Sequence, residues 1–170
     1  MEIKLIGDWA KVSRLINSMD KNIREASIKS QRKIAEKYVR LVKSHLKKQD
    51  IPGWTPLAPR YADYKMGKYG HEEILLSTYL MYDSITSWRS NGVYFAGIRR
   101  GENYPNGVEI ARVAEIHEAW SSVPGKPHRP LWTYTWRKDM GGNKGTRELF
   151  INEIKNRLLS QGYPVKRIGL

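Results

Sequence analysis

A chain of 170 residues with 40% hydrophobic content is long enough for one globular domain, with or without an appended helix. Its 30 Lys+Arg against 17 Asp+Glu give a formal net charge of +13, which favours an acidic partner: nucleic acid, an anionic membrane or an acidic protein surface. With no Cys, disulfides, thiolate zinc sites and cysteine nucleophiles are excluded.

The N-terminus, Met1-Glu2-Ile3-Lys4-Leu5-Ile6-Gly7, is too short and too interrupted for a signal sequence. No run approaches the roughly 18 apolar residues of a membrane span, so the chain is expected in the cytoplasm until it joins a larger assembly. Six Trp and ten Tyr against two Phe put a polar handle on much of the aromatic surface, as suits side chains shared between core and partner.

Residues 3–6 read as a short strand, with Asp8 at an N-cap position. Trp9, Val12, Leu15, Ile16 and Met19 then recur at helical spacing. After Asp20 a second, longer helix is expected, with Ile34, Tyr38, Leu41, Val42, His45 and Leu46 on one face. Its other faces are basic, and Lys43, Lys47 and Lys48 in the last turns complement the helix dipole. Gln49-Asp50-Ile51-Pro52-Gly53 stops it.

Residues 51–73 form a long loop in which Trp54, Leu57, Tyr61 and Tyr64 argue for packing, with a short helix near 60–65. Residues 75–85 mix helical and strand character. Asn91-Gly92 between 85–89 and 93–98 signals a β-hairpin. Tyr104-Pro105-Asn106-Gly107 is a further turn, 108–110 a short closing strand, and 111–120 a helix with Val113, Ile116 and Trp120 inward. Residues 121–130 are irregular, with Pro124, Pro127 and Pro130. Residues 131–136 alternate as a strand does, and the glycine-rich 140–145 is a break before a last helix, capped by Thr146 and running from Arg147 to about Leu159.

Glu115-Ile116-His117-Glu118 invites a metal or acid–base reading, but lacks the His-Glu-x-x-His spacing that sets two imidazoles on one helix face, so a structural His117 is favoured. No Ser sits in a Gly-x-Ser-x-Gly elbow. In Gly141-Gly142-Asn143-Lys144-Gly145-Thr146 the Lys precedes its glycine, unlike the Walker pattern, and a hinge explains the segment better. No catalytic, cofactor or metal residue is assigned. The basic helix at 21–48 has two readings: a track for phosphates through Lys33, Lys37 and Arg40, or an amphipathic helix whose solvated basic face docks an acidic neighbour. The charges surround the helix and no aromatic platforms interleave with them, which favours the second.

The middle of the chain carries an ordered set of motifs. They are Trp54-Thr55-Pro56-Leu57, followed by Tyr61 and Lys65; Ile74-Leu75-Leu76-Ser77-Thr78-Tyr79-Leu80 with Ser84-Ile85; Tyr94-Phe95-Ala96-Gly97; Arg112-Val113-Ala114-Glu115-Ile116-His117-Glu118; and Val123-Pro124-Gly125-Lys126-Pro127-His128-Arg129-Pro130-Leu131. The set resembles the phage virion morphogenesis (tail completion) family of tailed bacteriophages, which shows Trp-x-Pro-Leu, Ile-Leu-x-x-Thr-Gly-x-Leu-x-x-Ser-Ile, Ala-x-Ile-His-x-x-Gly and Pro-x-Arg-Pro-Phe in this order. The match covers about residues 54–131. Tyr79 stands where the family has Gly, and Leu131 where it has Phe. Any turn needing positive φ at 79 is therefore expected to be built differently here.

The resemblance implies a non-enzymatic subunit of the neck or tail end that completes the tail and joins it to the head. It implies a homo-oligomeric ring, a hexamer by family analogy, set between the head connector and the tail tube or terminator proteins. It would be found in the virion, and in the host cytoplasm during assembly, with no membrane association. Ring contacts are heterologous, and the segments at 51–73 and 121–130 are the two expected surfaces. Interface anchors are placed at Trp54, Leu57, Tyr61, Arg129 and Trp132. Arg129 has an alternative role in an intramolecular salt bridge that closes the loop.

The expected fold is α+β, one domain over 1–170: N-terminal helices paired as a hairpin within 1–50, a small antiparallel sheet with a long ordered loop within 51–136, and a C-terminal helix at 146–160. A rival function is a basic nucleic-acid-binding protein using the helix at 21–48. Otherwise DNA contact is limited to non-specific contact in the channel.

Overall fold

The computed structural model describes residues 9–76, 78–119 and 128–162, with side chains from residue 17 onward. The expected strand at 3–6, the Asp8 cap and the inward Trp120 lie outside the described residues, as does most of the proline-rich segment, 120–127.

The fold is α+β. Among the described residues, six helices and one hairpin follow in the order α1 (Trp9–Lys48), α2 (Pro59–Tyr69), α3 (Leu80–Ser84), β1 (Ile85–Ser90), β2 (Val93–Ile98), α4 (Ile110–Ala119), α5 (Trp132–Lys138) and α6 (Gly142–Ser160).

The expected N-terminal helical hairpin is instead one helix of 40 residues, about 60 Å long at 1.5 Å per residue. Asp20, read as a start signal for a second helix, pairs with Arg24 one turn on at 3.0 Å, as an interior helix residue does. With no Gly or Pro between Trp9 and Lys48, nothing in that stretch ends the helix. It ends at Gln49, which takes a left-handed φ of 54°. The Gln49 amide then reads a distant backbone like a strand partner: its Nε2 donates to Ile74 O at 3.2 Å, and Ile74 N donates to its Oε1 at 2.8 Å.

α1 is the spine. The hairpin, α5 and α6 all pack along it. α6 runs beside it, joined by Arg157–Glu25 at 2.7 Å and Lys33–Glu153 at 2.6 Å. The buried positions in this part of α1 are the small residues Ala26, Ser30 and Ala35, and small side chains let helices approach closely. Further on, Val42 and Leu46 enter the main core with Ile51, Leu76, Ile85 and Leu131, flanked by Tyr38, Trp54 and Trp132. A second cluster of Met81, Ile110 and Ala114 lies under α3 and α4.

The hairpin follows the sequence reading closely. Ile85 pairs with Ile98 and Ser90 with Val93, and Asn91 and Gly92 take φ of 49° and 81°, as a type I′ turn requires. The expected short strand at 108–110 is reduced to a single bridge, Asn103 to Glu109, before α4 begins at Ile110.

Two further expectations fail. The alternating 131–136 segment is not a strand but the helix α5, because a carboxylate from α4 caps its start. The glycine-rich 140–145 is no hinge either: α6 begins at Gly142, and Thr146 lies inside it, donating from Oγ1 to Gly142 O at 2.8 Å. Glycine is required at 145 because a Cβ there would fall 2.2 Å from Met140 O.

Tyr79 also departs from expectation. It keeps the left-handed conformation that a glycine would take, with φ 57° and ψ −4°, directly before α3. A non-glycine residue there costs about 1–2 kcal/mol, against which the exposed Tyr79 ring sets ring contacts with His71 and Tyr82. Tyr79→Gly is expected to raise stability by about 0.5–1 kcal/mol, read as a higher urea midpoint. An unchanged or lower midpoint would mean that the ring contacts outweigh the strain.

Candidate functional site

Four of the five segments carrying the resemblance contribute to one cleft, and the fifth, 94–97 on β2, lies outside it. α2 supplies Tyr61, Lys65 and Lys68, the loop before it Leu57, the segment before α3 Leu75, α4 His117, and the chain before α5 Arg129. The cavity measures about 620 Å³.

Hydrogen bonds across long sequence gaps hold it together. Arg129 is 6% exposed, and its Nε and Nη2 donate to Thr55 O at 3.3 and 3.0 Å. Arg129 N donates to His117 O at 3.1 Å, joining the same strut to α4. The expected loop closure by Arg129 is therefore made to a backbone carbonyl rather than in a salt bridge. Lys65, 2% exposed, donates from Nζ to Glu73 O and to Leu76 O, the latter at 3.3 Å.

Glu118 has a structural post that sequence reasoning missed. Its Oε2 accepts from Leu131 N at 2.9 Å and Trp132 N at 3.0 Å, and its Oε1 from Thr133 N at 2.7 Å. These are the otherwise orphaned donors of α5's first turn. The only sequence signal for it is the absence of a Ser, Thr, Asp or Asn at the start of α5, where Leu131 stands at the cap position.

His117 lines the cleft as a neutral imidazole, since burial and then the nearby Arg129 charge push its pKa down to about 4. His45 goes the other way. Burial acts to lower its pKa, but hydrogen bonds to Asp139 (2.6 Å) and Asp50 (2.5 Å), with their charges, raise it above the ordinary value.

The signs of the two linkages differ. The His45 contribution is complete below the unfolded-state value of about 6.5 and is lost as pH rises through its folded value. The His117 contribution is complete above about 6.5 and is lost as pH falls toward about 4. Their sum is a stability maximum near pH 6.5, with a loss on the acid side of about 1–2 kcal/mol after allowing for solvent screening of a partly buried ring. Urea midpoints between pH 5 and 8 check this: His45→Gln is expected to flatten the alkaline limb and His117→Gln the acid limb.

Of the expected interface anchors, Leu57, Tyr61 and Arg129 meet at the cleft. Trp54 and Trp132 do not: both pack against the chain's own core, and Trp132 O accepts the Tyr38 hydroxyl at 2.7 Å. An exposed aromatic pair is on α2 instead, where Tyr61 and Tyr64 stack at 6.0 Å and are 50% and 51% exposed. The candidate DNA-contact residues Lys33, Lys37 and Arg40 lie together in a shallow groove between α1 and α6 that also holds Glu36 and Glu153. The Lys33–Glu153 pair and these interleaved acids weaken a continuous phosphate track.

Among the described residues, no group of His, Asp and Glu is arranged to hold a metal, and no helix is long and apolar enough to cross a membrane. No family model, no curated protein and no solved structure matches the chain.

Proposed function

We propose that the chain is a structural subunit of the neck or tail end of a tailed bacteriophage, completing the tail and joining it to the head as one member of a ring, a hexamer by family analogy. The observation that carries this reading is the convergence of the motif residues. Thr55 and Arg129 are hydrogen-bonded beside the cleft, which ties the first motif to the last. In the ring, Tyr61, Tyr64 and Leu57 meet a different surface of the next subunit. The net charge of +13 suits a channel through which DNA passes without being read.

The test is a virus from which this gene has been deleted. Electron micrographs of its lysate are expected to show filled heads and finished tails lying apart, rejoined when the purified protein is added. Joined, infectious particles formed without the chain would overturn the reading. Tight duplex binding that vanishes when Lys33, Lys37 and Arg40 are replaced by Glu, with particle assembly intact, would replace it with the nucleic-acid one.

A further inference from the structure

The cleft has an unbalanced charge. Lys65, Lys68 and Arg129 line it, and among the described lining residues there is no Asp or Glu. Two of the three cations lie beneath the surface, Lys65 at 2% and Arg129 at 6% exposure, and neither forms an ion pair among the described residues. Backbone carbonyls satisfy part of each: Thr55 O for Arg129, Glu73 O and Leu76 O for Lys65. Arg129 Nη1 donates to no acceptor among the described residues. Burying like charges together without an ion pair is unfavourable, and a carboxylate entering the cleft offsets that cost. Burial lowers the pKa of each cation; for Lys65 the nearby Glu73 charge works against this and the Arg129 charge adds to it.

The walls specify the rest of the ligand. Leu57, Leu75, Met81 and Val113 are apolar, and Tyr61 and Tyr104 present rings. The volume of about 620 Å³ is far more than a lone carboxylate or phosphate fills. A nucleic-acid duplex does not fit this cleft, because its phosphates need cations at the surface and Lys65 and Arg129 lie at depth.

We propose that the cleft is a receptor for an acidic segment of a partner protein, seating an Asp or Glu carboxylate on Arg129 with its apolar neighbours against Leu57, Met81 and Tyr61. Arg129 then has two tasks: one edge of the guanidinium holds the Thr55 loop, and Nη1 meets the incoming carboxylate in fork geometry. Lys68, held at the rim by the Tyr64 hydroxyl at 2.8 Å, steers the acid inward. This assignment does not depend on the neck role, and it stands or falls on binding by the isolated protein.

The test uses calorimetry on the full chain with a capped Phe-Glu-Phe-Glu peptide, its Gln counterpart Phe-Gln-Phe-Gln, and inorganic phosphate. Saturable binding of the Glu peptide at one site is expected, with the Gln peptide at least about 30-fold weaker, the scale of removing one partner of a buried charge pair. Arg129→Gln is expected to remove binding. Lys68→Glu, an exposed change that spares the fold, is expected to weaken it roughly tenfold, mostly through slower association. Lys144→Glu, on α6 and outside the cleft, is expected to change nothing. Absence of saturable binding, equal affinity for the Gln peptide, equal loss with Lys144→Glu, or displacement by phosphate at matching concentration would each overturn the proposal. A protein that binds the peptide yet leaves heads and tails joined when its gene is deleted would retain this receptor and lose the neck function.

Discussion

Replacing Glu118 by Ala is expected to lower unfolding free energy by about 2–4 kcal/mol, a large share of what holds a domain of this size folded. The carboxylate receives three backbone N–H groups at the start of α5, at 2.9, 3.0 and 2.7 Å. Each is a charge-assisted bond, and the negative charge also sits at the positive end of the helix. Alanine leaves the donors of buried Leu131 and half-buried Trp132 unpaired, while Thr133, which is exposed, regains water. Glu118→Gln keeps acceptor oxygen and shape but not charge, and is expected to lose about 1 kcal/mol. The measurement is a urea unfolding series followed by tryptophan fluorescence, which reports on α5 through Trp132 and Trp136. If Glu118→Ala stays within about 0.5 kcal/mol of the parent, packing rather than the cap holds α5 in place.

Leu46→Ala is expected to cost about 3–5 kcal/mol. Leu46 is fully buried, and its cluster draws Val42 from α1, Ile51 from the following loop, Leu76, Ile85 from β1 and Leu131 from the start of α5. Five segments meet there, so neighbours cannot collapse into the void without moving elements held elsewhere, and the cavity term stays large. Leu46→Met, close to the same volume, is expected to lose less than about 1.5 kcal/mol. Leu159, 54% exposed on α6, is the contrast: Leu159→Ala is expected to fall within about 0.5 kcal/mol of the parent. Equal losses at 46 and 159 would place the stabilising core along α6 rather than around Leu46.

Much of the architecture was legible in the residues. Asn91-Gly92 specified its turn because both positions need positive φ, and the flanking segments became β1 and β2. The stop after Lys48 and the helix near 60–65 are present, the latter longer than expected as Pro59–Tyr69, and the helix expected at 111–120 is found as Ile110–Ala119. The cleft was legible only in part. The motif order brought Leu57, Tyr61 and Arg129 to notice, but not the missing counter-charge around them, since an ion-pair count needs coordinates.

Where sequence reading failed, a distant group or a whole-chain constraint decided the outcome. Asp20 offered a helix start, but a helix already running past it had no reason to stop, and Arg24 was in place to pair with it. Tyr79 holds a glycine-like φ because the segments on either side, Leu76 in the main core and Met81 in the second cluster, fix the path of the chain between them.

What the sequence by itself determined is therefore local: the type I′ turn, the helical periods, the loss of thiol chemistry and the excess of positive charge. Only the tertiary structure decided that residues 132–138 are helical and that Arg129 lies buried against the Thr55 carbonyl. The physical reason is the same for both. Alternating Trp, Thr and Tyr residues satisfy a strand or a helix almost equally well, and Glu118 from another element settles the choice by accepting three N–H groups that only a helix start presents together.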